Sequence, residues 1–151
     1  EMVNEHPGQF DFVCAFQVLE HLSDPKTFFE QVCTLLSPNG TLILSVPNRD
    51  CSLGLEKNPL DYPPHHMSRW SAETFSNVSK FYPLELKDVL FQPLMRDEYD
   101  RLLSTLSNRS TWLRGLLKLP GSRRLARALL GFGGSKAFSG QSIIAHYQRR
   151  S

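Results

Sequence analysis

Acidic residues are missing altogether from the last third of this 151-residue chain. Residues 101–151 carry ten Lys and Arg and no Asp or Glu, while all 15 acidic residues, with seven basic ones, lie in residues 1–100. The formal net charge of +2 therefore hides an acidic body and a basic tail. Such a division points to a basic surface or an acidic partner and carries no information about the fold. Long apolar runs are also missing: none approaches the roughly 20 residues that a membrane-spanning helix needs, and residues 1–8 lack the basic-then-apolar pattern of a secretory signal. Cysteine is scarce. Cys14, Cys33 and Cys51 are odd in number and have no CxxC spacing, which favours reduced structural thiols over metal ligands or disulfides. These absences predict a soluble, cytoplasmic protein. With 40% hydrophobic and 21% charged residues, collagen-like, coiled-coil and wholly disordered chains are excluded, and a single domain over 1–151 around one core is expected.

The order of elements follows from local pattern. Phe10 to Leu19 is a nearly continuous apolar run rich in aromatic and β-branched residues, which predicts a strand buried on both faces of a parallel sheet. Asp24-Pro25 supplies an N-cap followed by proline at the first helical position, and Phe28, Phe29, Val32, Cys33, Leu35 and Leu36 keep helical spacing. Ser37 to Gly40 is turn chemistry, and Thr41 to Val46 is a second buried strand ended by Pro47. These make one βαβ unit with a right-handed crossover. Asn48 to Trp70 is a long polar segment of the kind that forms lids and binding loops. Ser71 caps a helix through about Lys80 with Phe75, Val78 and Phe81 or Tyr82 facing inward, and Leu84 to Phe91 is a strand whose alternation slips at Asp88, the sign of a bulge. Tyr99, Leu102, Leu103 and Leu106 form an amphipathic stripe. Helices over Thr111–Leu119 and Ser122–Leu130, the latter ended by Gly131, precede a last strand over Ser142–Gln148.

In open parallel α/β sheets ligands bind beyond the carboxyl ends of the strands. That rule selects Gln17 to Leu22, Pro47 to Cys51 and the loop from Asn58 to Trp70, where Glu20, His21, Asp61, Tyr62, His65, His66, Arg69 and Trp70 gather. Imidazole is the side chain whose unperturbed pKa lies nearest neutrality, so the adjacent His65 and His66 can supply a general base. A metal site on that pair is disfavoured, because neighbouring residues rarely face one ion and no third ligand has suitable spacing. No metal is therefore expected.

The strings Phe10-Asp11-Phe12-Val13, Val18-Leu19-Glu20-His21-Leu22 with Asp24-Pro25, Leu36 to Leu42 and Ser45-Val46-Pro47-Asn48 resemble the second half of a class I S-adenosylmethionine-dependent methyltransferase. They are similar in particular to bacterial small-molecule methyltransferases related to the ubiquinone-biosynthesis O-methyltransferases, and Pro63 to Ser71 resembles a recurring Pro-Pro-His-His, Arg-Trp element of such proteins. The resemblance implies a partial Rossmann-like α/β three-layer sandwich in which Phe10–Leu19, Thr41–Val46, Leu84–Phe91 and Ser142–Gln148 are the fourth to seventh strands. Their order would be 4-5-7-6, with the last strand antiparallel. It implies S-adenosylmethionine as cofactor, with Phe16, Gln17, Val18 and Glu20 beside it. It puts Glu20 and His21 near the methyl-transfer site, so His21 joins His65 and His66 as catalytic candidates; Tyr62, Arg69 and Trp70 are substrate-binding candidates, although Trp70 suits a packing role that anchors the loop better. The acceptor implied is a small or lipid-linked molecule.

Two features stand apart from the family pattern. The glycine-rich GxGxG loop that follows a first strand is not in the sequence, since only nine residues precede Phe10. The chain is therefore expected to be the C-terminal half of a longer enzyme, inactive alone, with a non-catalytic interaction module as the alternative. A truncated sheet would expose the fourth strand as an edge and invite a homodimer. Residues 95–140 match no family motif. They read as a basic helical insertion that serves as a lid, with peripheral membrane contact as the alternative. No aromatic interleaving supports nucleic acid as a partner.

Overall fold

The computed structural model describes residues 2–51, 62–94, 96–133 and 140–151. Asp61 and the ends of the expected 95–140 insertion, residues 95 and 134–139, lie outside the described residues. Four strands, β1 (Phe10–Phe16), β2 (Leu36–Pro47), β3 (Leu84–Phe91) and β4 (Ser142–Arg149), form one sheet in the order β1-β2-β4-β3. β1 and β2 are parallel, and β4 runs antiparallel to both of its neighbours. This is the expected 4-5-7-6 arrangement with the last strand inserted in reverse. The slip anticipated at Asp88 is present, as a register shift between Leu86 and Asp88 in the β3–β4 pairing.

The helices begin where their caps place them. In α2 (Pro25–Leu35) the Asp24 carboxylate accepts from the Thr27 amide at 3.2 Å and from its hydroxyl at 2.6 Å, and these bonds hold the Asp24 carboxyl below its ordinary pKa. In α3 (Ala72–Phe81) the Ser71 hydroxyl accepts from the Thr74 amide. Phe29 and Val32 of α2 and Phe75 and Val78 of α3 meet Leu42, Leu44 and Val46 of β2 and Ile143, Ala145 and Tyr147 of β4 in one core. Alternate residues of the two central strands thus face both helices on the same side of the sheet. Ile43, Ser45, Ile144 and His146, on the other side, are half-buried. Of the two candidates for the inward position at the end of α3, Tyr82 packs on the core and Phe81 is 79% exposed.

Three expectations are corrected. The first strand is shorter than Phe10–Leu19 and is not buried on both faces. It stops at Phe16 because Gln17 takes a φ of 54°, a left-handed conformation that no strand continues through. Phe12 and Phe16 are 57% and 58% exposed, since β2 is the only strand paired with β1 among the described residues. Second, the Ser37–Gly40 turn is absorbed into β2: Phe10 pairs with Leu36 but Phe12 with Thr41, so the extra residues of β2 bulge at Asn39, whose φ is 63°. Gly40 is forced there, because a Cβ on it would stand 2.8 Å from the Ser37 carbonyl oxygen and 3.0 Å from that of Phe10. Gly40→Ala is accordingly expected to cost about 1–3 kcal/mol through this backbone clash, readable as a lowered urea midpoint with unchanged slope. Third, Gly131 does not end the last helix. The C-terminal helices are α4 (Arg96–Arg109), α5 (Thr111–Leu116) and α6 (Ser122–Gly133), after a four-residue α1 (Met2–Glu5).

The basic helices attach to the body through α4. Leu102 is buried against Leu94, with Cys51, Tyr99 and Leu106 packed around them, so the helix lies against the chain leaving β2. Arg127 of α6 grips the Asp100 carboxylate of α4 through two guanidinium nitrogens. Leu103, Leu106, Leu113, Leu116, Leu117 and Leu125 line an apolar groove among the three helices.

Candidate functional site

The site forms at the carboxyl end of β1 and β2. The reversal at Gln17 turns the chain out of the sheet, its amide bonding to the Ser45 carbonyl of β2 at 2.8 Å and its side-chain amide reaching the Ser45 hydroxyl at 3.3 Å. Phe16, Gln17 and Val18 are exposed there. A short 3-10 helix (Leu19–His21) follows and drives Leu19 and Glu20 inward, to 1% and 2% exposure. Glu20 therefore separates from the exposed trio with which it was grouped.

Residues 62–70 fold over this turn, and the attachment is made by backbone. The Met67 and Ser68 amides both donate to the Glu20 carbonyl oxygen, at 2.7 and 3.2 Å. The Ser68 hydroxyl donates to the Leu19 carbonyl at 3.3 Å and accepts from the Trp70 indole N–H at 2.9 Å. At its far end the segment forms a bridge between Trp70 and Asn48, with the Arg49 amide donating to the Trp70 carbonyl at 2.9 Å.

These bonds bring three chemical groups together. One ligand-type atom from each of Glu20, His21 and His66 lies within 4.8 Å of the others. The His21 and His66 rings meet edge-to-face, with centroids 4.9 Å apart. His21 Nδ1 lies 2.7 Å from the His65 carbonyl oxygen; a carbonyl only accepts, so Nδ1 carries the proton and Nε2 of the neutral ring is left as a lone-pair donor. That Nε2 stands 3.9 Å from Glu20 Oε1. Among the described residues, Glu20 Oε2 is buried without a hydrogen-bond partner.

Of the two adjacent histidines, the geometry separates the roles. His66 is half-buried and lines a small pocket with Pro47, Asn48, Arg49, Ser68 and Arg69. His65 is exposed, and its contribution to the cluster is its carbonyl. The Arg69 guanidinium lies over the Tyr62 ring, 5.5 Å from its centroid, a cation–π contact, and Arg69 also lines the pocket. Trp70 is a correction to the substrate-binding set: at 6% exposure it stacks on Phe75 at 5.4 Å and tilts against Phe29 at 6.0 Å. Its surface is used up in the core and it anchors the loop instead.

Asn48 is the site residue that sequence reasoning passed over. It is 6% exposed, its amide bonds to the Gln141 carbonyl at 2.7 Å, and its side chain donates to the Gly140 carbonyl and accepts from the Asp50 amide. It thereby ties the exit of β2 to the entry of β4 under the pocket. The signal available in the sequence was its place directly after the strand-ending Pro47.

The family model described as "Methyltransferase domain" matches residues 1–86. The chain belongs to this methyltransferase family. Among individual relatives, the ubiquinone biosynthesis O-methyltransferase of Xanthomonas campestris pv. campestris is 43% identical over 49 residues, which is 32% of this chain and 20% of that protein. The enzyme of the same description from Pseudomonas aeruginosa is 40% identical over 50 residues, 33% of this chain and 22% of that protein. The matched stretch thus spans about a fifth of the length of these relatives.

Solved structures extend the likeness of this methyltransferase-family chain to nearly its whole length. Phosphoethanolamine N-methyltransferase 2 of Haemonchus contortus, in complex with S-adenosyl-L-methionine, superposes with a TM-score of 0.52 at 14% identity, covering 97% of this chain and 34% of that one. A SAM-dependent methyltransferase from Archaeoglobus fulgidus gives 0.53 at 16% identity, covering 98% and 63%. At such identities the likeness is one of fold, and the Rossmann-like α/β class is the one observed.

Proposed function

We propose that this chain contributes the acceptor-side half of an S-adenosylmethionine-dependent methyltransferase acting on a small-molecule or lipid-linked acceptor with an ionisable hydroxyl. The observation that carries this reading is the convergence of His66, His21 and Glu20 beside the exposed end of β1, in a member of a methyltransferase family. Phe16, Gln17 and Val18 face the place where cofactor would lie, and Arg49 and Arg69 put positive charge at the pocket rim. That charge suits an acceptor that becomes anionic as it loses its proton. His66 takes the proton, the acceptor oxygen attacks the sulfonium methyl in line, and S-adenosylhomocysteine leaves. Holding the two reactants in line and removing one proton are the protein's contributions. The basic helices α4 to α6, fastened beside Cys51 at the exit of β2, act as a lid over the acceptor.

The cofactor-holding half belongs to a longer parent polypeptide in this reading, which fits the lack of a GxGxG string in the 151 residues. Isothermal titration of S-adenosylmethionine is expected to show no micromolar binding to the 151-residue chain and clear binding to the parent. Micromolar binding to the 151 residues alone sinks the half-enzyme assignment, and a parent that neither binds the cofactor nor transfers its methyl group sinks methyl transfer.

A further inference from the structure

We propose that the outward face of α5 and α6 binds the surface of an anionic lipid bilayer, with Trp112, Leu116, Leu119 and Leu125 entering its apolar boundary and Lys118 and Arg124 meeting lipid phosphates. These helices lie beyond residues 1–86, the part matched to the methyltransferase family, so the surface is read from the chain itself.

The helices carry more apolar surface than they use on one another. Around α5, Leu113 and Leu117 stand four residues apart and are half-buried and buried. Trp112 and Leu116, also four apart and so on a common face, are 73% and 50% exposed. Past the turn at Pro120 and Gly121, Leu119 and Leu125 flank the break at 58% and 63% exposure. A helix that is apolar on two sides spends one on its neighbours, and the other needs a further apolar partner. The groove among the three helices has a volume of about 720 Å3, whereas voids in a packed interior seldom exceed a water molecule. Exposed apolar side chains gathered beside such a groove mark a surface that binds something.

Charge and shape select the occupant. Residues 101–151 hold ten Lys and Arg and no Asp or Glu, and Lys118 and Arg124 each stand next to an exposed leucine, Leu119 and Leu125. Neither cation has a side-chain hydrogen bond or ion pair among the described residues. Long cationic side chains lay their stems along apolar surface and keep their heads in the polar layer, and tryptophan favours the boundary between apolar and wet phases. Leucines and one tryptophan interleaved with cations make the composition of a helix that lies in the plane of an anionic membrane. No described helix is long and apolar enough to cross one, so the contact is with the surface. A nucleic acid calls for aromatic stacking platforms, which leucines do not provide. An acidic helix laid in the groove leaves Trp112 in water, because Trp112 is not among the groove's lining residues; a lipid boundary covers both.

The test is co-sedimentation of the full chain with vesicles of phosphatidylcholine alone and of equal parts phosphatidylcholine and phosphatidylglycerol, with tryptophan emission read in parallel. Binding to the mixed vesicles and little to the neutral ones is expected. Trp70 is already buried, so a blue shift on binding reports Trp112, and Trp112→Phe is expected to abolish the shift. Leu119→Asn and Leu125→Asn are each expected to weaken partition at least about tenfold, the scale of withholding one leucine side chain from an apolar phase. Lys118→Gln and Arg124→Gln are each expected to weaken it about fivefold. Arg150→Gln, past the end of β4, is expected to bind as the unmodified chain does. The substituted side chains are exposed, so the variants keep the fold, and circular dichroism checks this. No sedimentation with the mixed vesicles, or equal binding to both kinds, overturns the proposal. Binding that salt abolishes, that Leu119→Asn leaves untouched and that shifts no emission overturns it too, and marks the face as one for a soluble acidic partner. No cofactor or acceptor enters the test, so its failure leaves methyl transfer standing, and failure of methyl transfer leaves the membrane surface standing.

Discussion

His66→Ala, made in the longer cofactor-binding polypeptide that the proposed function calls for, is expected to lower kcat for methyl transfer by about 10²–10⁴-fold, the usual contribution of a positioned proton acceptor, while KM for the acceptor changes little. The split follows from where the ring sits. It is held edge-on against His21 with centroids 4.9 Å apart and opens onto the pocket bounded by Arg49 and Arg69. In the proposed reaction the two cations would bind the acceptor in its ground state, and both remain in the variant. What the proposed reaction would lose is the imidazole that takes the acceptor's proton. An interaction needed only as the bond to methyl forms shows in kcat. His65→Ala is the matched control: its carbonyl still orients His21, so its kcat is expected to stay close to that of the parent. Steady-state kinetics with saturating cofactor decide the matter, and an unchanged kcat in His66→Ala removes this residue from the chemistry.

Local chemistry was the readable part of this chain. Asp24-Pro25 and Ser71 start α2 and α3 because a cap needs only its own side chain and the amide three residues on. The slip at Asp88 was legible because the side-chain period of a strand is two, and a bulge shows as a change of phase. The strand order came from family likeness, since no periodicity states which strands pair. The misjudged first strand depends on partners distant in sequence. Phe12 and Phe16 look like core residues, but their burial depends on a neighbour on the far side of β1. Gln17 carries no mark of its positive φ, which is fixed by bonds to Ser45 across the sheet.

The site shows the same division. Its members were visible as a concentration of polar groups after strand ends, but their grouping was not. Glu20 and His66 meet because two amides of one segment bond to a carbonyl of another, 47 and 48 residues apart for Met67 and Ser68, and backbone bonds leave no signature in side-chain pattern.

Phe75→Ala is expected to destabilise the chain by about 3–5 kcal/mol, the range for removing a buried aromatic and leaving a cavity, and to loosen the site at the same time. Phe75 is fully buried where α3 meets β4. Its ring stacks on Trp70 at 5.4 Å with an interplanar angle of 22°, and meets Tyr147 edge-on at 6.3 Å. Its own carbonyl accepts the Tyr147 hydroxyl at 2.7 Å, and burial pushes that phenol well above its usual pKa. The carbonyl stays in the variant, so the loss comes from packing and the hydrogen bond survives. Trp70 loses its platform, and with it the indole N–H to Ser68 and the bridge to Asn48 that hold the 62–70 segment down. His66 lies four residues before Trp70 on that segment. A calorimetric unfolding scan is therefore expected to show a large fall in Tm, and amide exchange at Met67 and Ser68 in the folded variant is expected to quicken more than exchange in β2. Phe75→Leu fills part of the cavity and should recover part of both effects. If Phe75→Ala lowers Tm yet leaves Met67 and Ser68 as protected as before, the aromatic stack supports the core alone, and the loop is held by its bonds to Glu20.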